Sequence, residues 1–348
     1  MVYFGLALFA FVIAVLTTPF ARRLSERLDI VAIPGGRRKH FGRIPKLGGI
    51  PIFTAYCLTI ALIYWFIAPN PSETVPLRGV VLGSIVVFVG GLLDDYYDLS
   101  PRGQFLIQFA AAVIANLHVA FLERVSNPFM GFSAELPGIS IGNEIVFATP
   151  VAWAITIFWI MGIMNAVNWL DGLDGLAAGV GAIATSIFAY HAYTLAESPS
   201  PLVAFPVALA GALAGFLLFN FVPARIFLGS AGVYLLSYNL ATLSFLAPAK
   251  LATALLVLAL PLIDGVWLIV ERSRKGGNPL QGDRRHLHFR LKDRGWPVRQ
   301  IVLAYYSVAL ILGFVALFTP TAAKPFIILS LGLLILFGLI RLSKDSEG

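Results

Sequence analysis

Apolar stretches long enough to cross a hydrocarbon core of about 30 Å recur along the whole chain, separated by short polar intervals. They fall at 2–20, 48–68, 77–93, 104–121, 150–167, 175–196, 202–219, 231–247, 250–270, 299–318 and 324–341. The pattern predicts an all-α polytopic membrane protein with eleven transmembrane helices. The count is ten if the interruption at Ala247-Pro248-Ala249-Lys250 does not separate two spans. No alternation of period two marks a β-barrel. The opening run lacks a basic start and a small-residue cleavage site, so it reads as a retained span. One interval differs from the rest. Residues 122–149 alternate Ile and Phe with Gly and Pro, which predicts a small hairpin on the outer surface.

Composition agrees with lipid as the solvent: 58% of residues are hydrophobic and 12% charged, against roughly 25% charged in soluble domains. The mean hydropathy is +0.85. The lone cysteine, Cys57, lies in an apolar run and has no partner for an internal disulfide. Net charge is +7, and its placement says more than its sum. Eight Lys or Arg lie in 21–47 and nine in 271–299, whereas the opposite side holds only Arg78, Arg124, Lys250 and Lys324. By the positive-inside rule the N-terminus is outside and the C-terminus cytoplasmic. The basic excess is thus directed at lipid headgroups rather than nucleic acid. The chain reads as one domain, 1–348, with cytoplasmic intervals at 21–47, 94–103, 168–175, 220–230 and 271–299.

The candidate chemistry gathers on that cytoplasmic side. After the third span come Asp94 and Asp95, in Gly-Gly-Leu-Leu-Asp-Asp-Tyr-Tyr-Asp. Adjacent carboxylates repel each other and serve a cation or a proton transfer, although a solvated helix end reads equally well. After the fifth span Asn165, Asn168, Asp171 and Asp174 recur every three residues, a polar stripe if the run is helical. Carboxamides and carboxylates on one stripe can hold a divalent cation and hydrogen-bond a base or sugar. The last loop is basic and carries His286, His288 and Arg290, donors suited to a diphosphate. Two histidines at that spacing are too few for a zinc site. The first loop adds Arg38, Lys39 and His40 in a Gly-rich run whose backbone can approach phosphates. His118 and His191 lie in apolar runs and read as structural. Asp264, near the cytoplasmic end of the ninth span, joins the loop chemistry rather than a midplane relay.

Together, Asn-Ala-Val-Asn-Trp-Leu-Asp-Gly-Leu-Asp-Gly-Leu at 165–176, Gly-Leu-Leu-Asp-Asp-Tyr-Tyr-Asp-Leu-Ser-Pro-Arg at 91–102 and His-Leu-His-Phe-Arg-Leu at 286–291 resemble the polyprenyl-phosphate N-acetylhexosamine-1-phosphate transferases. The closer branch is the one using undecaprenyl phosphate and UDP-N-acetylglucosamine. The resemblance covers about 20–295. It implies transfer of a sugar 1-phosphate from a UDP-sugar to undecaprenyl phosphate with release of UMP. It also implies Mg²⁺ (Mn²⁺ as the alternative), the bacterial inner membrane, a role in cell-envelope glycan synthesis and a homodimer. By resemblance Asp94 and Asp95 act near the lipid phosphate, and Asn168, Asp171 and Asp174 hold uridine and metal. His286, His288 and Arg290 meet the diphosphate or sugar.

The chain departs from the family pattern at four places. Ser230 stands where the family has a metal-binding Asp, and Phe289 where it has a third imidazole. Ala32 replaces an Asp, and Gln104 a Lys. Asn168 and Ser230 are then the expected metal positions. Two readings follow: an active transferase with an altered metal site, or a diverged member that binds lipid phosphate or nucleotide-sugar without turnover. A lipid transporter, disfavoured by the scarcity of ionisable residues within the spans, and an assembly scaffold, which would need no metal, are the readings from other classes.

Overall fold

The computed structural model describes residues 1–33, 42–67, 71–118, 124–126, 138–141, 144–147, 149–196, 200–246, 251–274, 285–320 and 323–344. In chain order these form α1 (Val2–Arg27), β1 (Val31–Ala32), β2 (Ile44–Pro45), α2 (Gly49–Phe66), α3 (Pro71–Tyr97) and α4 (Pro101–Leu117). Three strands follow: β3 (Arg124–Ser126), β4 (Gly138–Ile141) and β5 (Glu144–Phe147). The remaining helices are α5 (Thr149–Leu170), α6 (Leu176–Leu195), α7 (Pro201–Asn220), α8 (Gly229–Leu246), α9 (Leu251–Val257), α10 (Ala259–Arg274), α11 (Leu287–Asp293), α12 (Val298–Phe318) and α13 (Lys324–Lys344).

Among the described residues, α1, α2, α3, α5, α6, α7 and α12 are long and apolar enough to cross a membrane. The ninth expected span is not continuous. It breaks at Leu258 into α9 and α10, which meet at a bend of 78°, and makes an eighth crossing if the pair is counted as one. Helices α4, α8 and α13 occupy the other expected spans but fall short of that length and apolarity over the described residues.

The polarity of α8 has a physical reason. Ser237, Tyr238, Asn239, Thr242 and Ser244 are all buried in protein, because α8 is packed by α2, α3, α5 and α6. A helix that meets protein rather than lipid can carry polar groups if each finds a partner. Asn239 accepts from the Tyr56 hydroxyl (2.7 Å) and donates to Ser84 (2.8 Å). Tyr238 donates to the Gly79 carbonyl (2.9 Å).

Around this axis α1 packs on α7 and α2, and α12 on α6 and α9. The interval expected to form a hairpin contains the antiparallel sheet β3–β5–β4, with Ile141 opposite Glu144 and Arg124 opposite Val146. Strands β1 and β2 pair antiparallel, Val31 with Pro45 and Ala32 with Ile44. This pairing anchors both ends of the first loop.

Candidate active site

The acidic pair closes α3. Asp98 adopts φ 54° and ends the helix, and Ser100 then caps α4, whose first residue is Pro101. Asp94 and Asp95 are only 5% and 6% exposed, so neither is a solvated helix end. Each has its own donors. Asp94 accepts from the Leu99 amide (3.0 Å), from the Gln104 carboxamide (3.1 and 3.4 Å) and from the Tyr234 hydroxyl (3.3 Å). Asp95 accepts from the Ser230 amide (2.9 Å) and the Ala231 amide (3.1 Å), one on each oxygen. Both of its oxygens therefore serve the first turn of α8. Gly229 opens that turn at φ +70°, and a Cβ there would collide with the Lys46 carbonyl and the Asp95 carboxylate. Only glycine fits.

The run 165–176 is helical only as far as Leu170. The last helical amide bond runs from Asp171 to Val167 (3.2 Å), and Gly172 and Gly175 then turn the chain into α6, Gly175 at φ +76°. The expected four-residue stripe is therefore cut in two by its own Asp-Gly pairs. Asn165 and Asn168 lie on α5, and Asp171 and Asp174 lie in the turn. Asn165 donates to Gln108 of α4 (2.8 Å) and to the Met161 carbonyl (2.7 Å), which ties it to helix packing. Asn168 is half-buried, and its side chain has no hydrogen bond within the described residues. Asp174 accepts from the Ala224 amide (2.9 Å), pinning the α7–α8 turn. That turn is held from its other side by the first loop: Phe227 donates to the Pro45 carbonyl (2.8 Å) and Gly48 to the Phe227 carbonyl (3.0 Å).

The histidines flank the α5–α6 turn through α11. His288 is 1% exposed, and its Nε2 lies against Gly172, where a Cβ would collide with it. Burial, with His286 and Lys292 adding to it, pushes the His288 ring down to about 3. His288 is thus a neutral packing group, with Phe289 beside it against Gly172. His286 is different. Its Nδ1 meets Asp264 Oδ2 at 2.8 Å, and Asp264 Oδ1 accepts the Leu287 amide at 3.0 Å. Arg290 is paired with Glu271 (3.1 Å) and donates to the Arg285 carbonyl (2.6 Å), while its Nη1 is buried without a partner among the described residues.

Five segments far apart in the chain thus form one continuous assembly: 94–104 touches 229–231, 221–228 touches 174 and 45–48, and 172 touches 288. The model of glycosyl transferase family 4 matches residues 77–247. A decaprenyl-phosphate N-acetylglucosaminephosphotransferase of Mycobacterium tuberculosis is 31% identical over 328 residues, covering 85% of this chain and 77% of that one. The chain belongs to glycosyl transferase family 4. A probable undecaprenyl-phosphate N-acetylglucosaminyl 1-phosphate transferase of Bacillus subtilis is 29% identical over 90% of this chain and 85% of its own. The undecaprenyl-phosphate alpha-N-acetylglucosaminyl 1-phosphate transferase of Escherichia coli K12 is 27% identical over 84% and 77%.

Within this family 4 chain, Arg38, Lys39 and His40 lie outside the described residues. Among the described residues no three His, Cys, Asp or Glu side chains converge as a metal cage. Asn168 and Ser230 offer neutral oxygens only, so a hard cation here would depend on phosphate oxygens brought by a substrate. Sequence reasoning missed Tyr234, Trp169 and Glu271. Tyr234 gives no local signal, since its partner Asp94 is 140 positions away. Glu271 was legible, lying seven residues after Asp264 and therefore on the same helix face.

Proposed function

We propose that this chain transfers a sugar 1-phosphate, N-acetylglucosamine 1-phosphate foremost, from a UDP-sugar to undecaprenyl phosphate at the cytoplasmic face of the bacterial inner membrane. An oxygen of the lipid phosphate attacks the β-phosphorus of the UDP-sugar. The Pα–O–Pβ bridge breaks, UMP leaves, and a lipid diphospho-sugar remains as the first membrane-bound intermediate of a cell-envelope glycan. The observation that carries this reading is the convergence of the acidic pair and the 171–174 turn on the 221–231 turn, with the histidine loop packed on Gly172. The names of the relatives support the substrate classes.

Within this reading Asp94 is the carboxylate nearest the chemistry, orienting the lipid phosphate, since Asp95 has both oxygens on α8. Asn168 and Asp171 bind uridine, His286 meets the sugar and Arg290 the diphosphate. Mg²⁺, with Mn²⁺ as the alternative, neutralises the diphosphate when bound. Phosphoryl transfer asks little of a protein beyond positioning and charge neutralisation.

The test is UMP release by the purified protein with undecaprenyl phosphate and UDP-N-acetylglucosamine, with and without Mg²⁺ or Mn²⁺, beside Ser230→Asp. Release by the unaltered protein is expected. Silence from it with release by Ser230→Asp would make it a binding protein descended from an enzyme.

A further inference from the structure

Of the two histidines near the site, His286 is held on three sides. Trp169 covers one face of its ring (centroids 5.8 Å apart, 29° between planes) and His288 lies parallel to it (5.7 Å, 6°). Trp169 reaches that position because residue 265 is glycine, where a Cβ would meet the indole at 2.5 Å. The third side is Asp264, itself 4% exposed, whose two oxygens take the His286 Nδ1 and the Leu287 amide. The one ring nitrogen left over is Nε2, which has no hydrogen bond from the described residues. One helical face of α10 supplies this support, since Glu271, two turns after Asp264, pairs with Arg290, one turn after His286.

We infer that Asp264 is a positioning residue, which keeps the proton of the neutral His286 ring on Nδ1 and so leaves Nε2 as a free acceptor. A carboxylate offers no hydrogen, so the 2.8 Å contact requires Nδ1–H. Fixing a tautomer through the far nitrogen is how a second carboxylate commonly serves a working imidazole. A bare Nε2 can take a hydroxyl of the sugar but not an anionic phosphate oxygen; that role rests on the transferase reading, but the tautomer does not.

Two measurements decide it. The first needs no variant and no activity: ¹⁵N NMR of histidine-labelled full-length protein in nanodiscs, at a pH where the ring is neutral. With five histidines in the chain, His286 is assigned by loss of its signals in His286→Asn. The expected result is a protonated Nδ1 and a bare Nε2, and a shift of the proton to Nε2 in Asp264→Asn, whose carboxamide can donate to Nδ1. A neutral ring protonated on Nε2 in the unaltered protein overturns the inference, as does a tautomer indifferent to Asp264→Asn.

The second is a kinetic cycle on UMP release. Asp264→Asn lowers kcat by about 10- to 100-fold, the usual effect of such outer partners, with little change in KM for the UDP-sugar. In a His286→Asn background the same substitution changes kcat by less than about twofold, because it acts only through the imidazole. Equal losses in both backgrounds would make Asp264 a structural residue and overturn the inference. An unaltered protein that releases no UMP would sink the transferase reading instead, and the NMR result would still stand.

Discussion

At position 172 a single hydrogen separates a working turn from a blocked one. The absent side chain leaves room for His288 Nε2 and for the Phe289 ring, which a Cβ would approach to 2.7 Å. Gly172→Ala should cost about 1–3 kcal/mol by overpacking and displace α11, with lower melting temperature and slower UMP release together. Gly162→Ala, on α5 with nothing among the described residues within 4 Å of its Cβ, is the control: it should leave UMP release unchanged and should not lower the melting temperature. His288 makes a pH prediction. Its folded value near 3 lies below the ordinary 6.5, so acid protonates the unfolded chain first. The stability it contributes is complete above about pH 6.5 and is lost as pH falls toward 3. From pH 7 to 5 this loss is about 2 kcal/mol. A neutral isostere, His288→Asn, should flatten that part of the melting-temperature profile. An identical acid slope in both proteins would mean that His288 titrates normally.

The decisive element is α8. Its first turn is satisfied by Asp95, its middle by Tyr56 and Ser84, and its Tyr234 reaches Asp94. Asp95→Ala leaves the Ser230 and Ala231 amides without their acceptor. It should therefore cost about 1–3 kcal/mol, visible as a lower melting temperature independent of substrate. Ser230→Asp places a second carboxylate beside Asp95 at the same turn. Like charges this close repel, so the variant should be less stable than the parent without metal. Millimolar Mg²⁺ should then raise its melting temperature more than it raises the parent's. Equal Mg²⁺ responses would remove residue 230 from the metal question. A different turn, between α5 and α6, explains why the expected polar stripe at 165–174 misled. The three-residue spacing is genuine, but the glycines at 172 and 175 end the helix and send the two aspartates into a turn.

For the whole molecule, orientation is the property that charge placement decides. In a Cys57→Ser background, a single cysteine at position 346 should react with an impermeant maleimide only after the membrane is opened. One at position 140 should react in intact spheroplasts. The reverse pattern would invert the topology and move the 94–104, 168–175 and 286–290 segments to the outer face. The 78° break between α9 and α10 also acts at this scale. It turns α10 out of line with α9 while α10 packs on α5 and α13, so that Asp264 and Glu271 meet α11.

Membrane-spanning character, the approximate helix positions and the polar segments that the fold brings together were legible from the chain alone. Transfer of an apolar segment into lipid is close to a sum over neighbouring residues, and the charge bias of loops is counted locally. What each polar side chain does was decided by tertiary structure. Asn165 reads like Asn168 in sequence, yet the first is bonded to Gln108 and the second is not. Asp94 and Asp95 are adjacent, but one meets Gln104 and Tyr234 and the other meets the start of α8. His286 and His288 share a motif, but only one faces Asp264. Partners such as Asp95 and Ser230 lie 135 positions apart. A hydrogen bond depends on direction and on fractions of an ångström, and the packing of distant helices sets both.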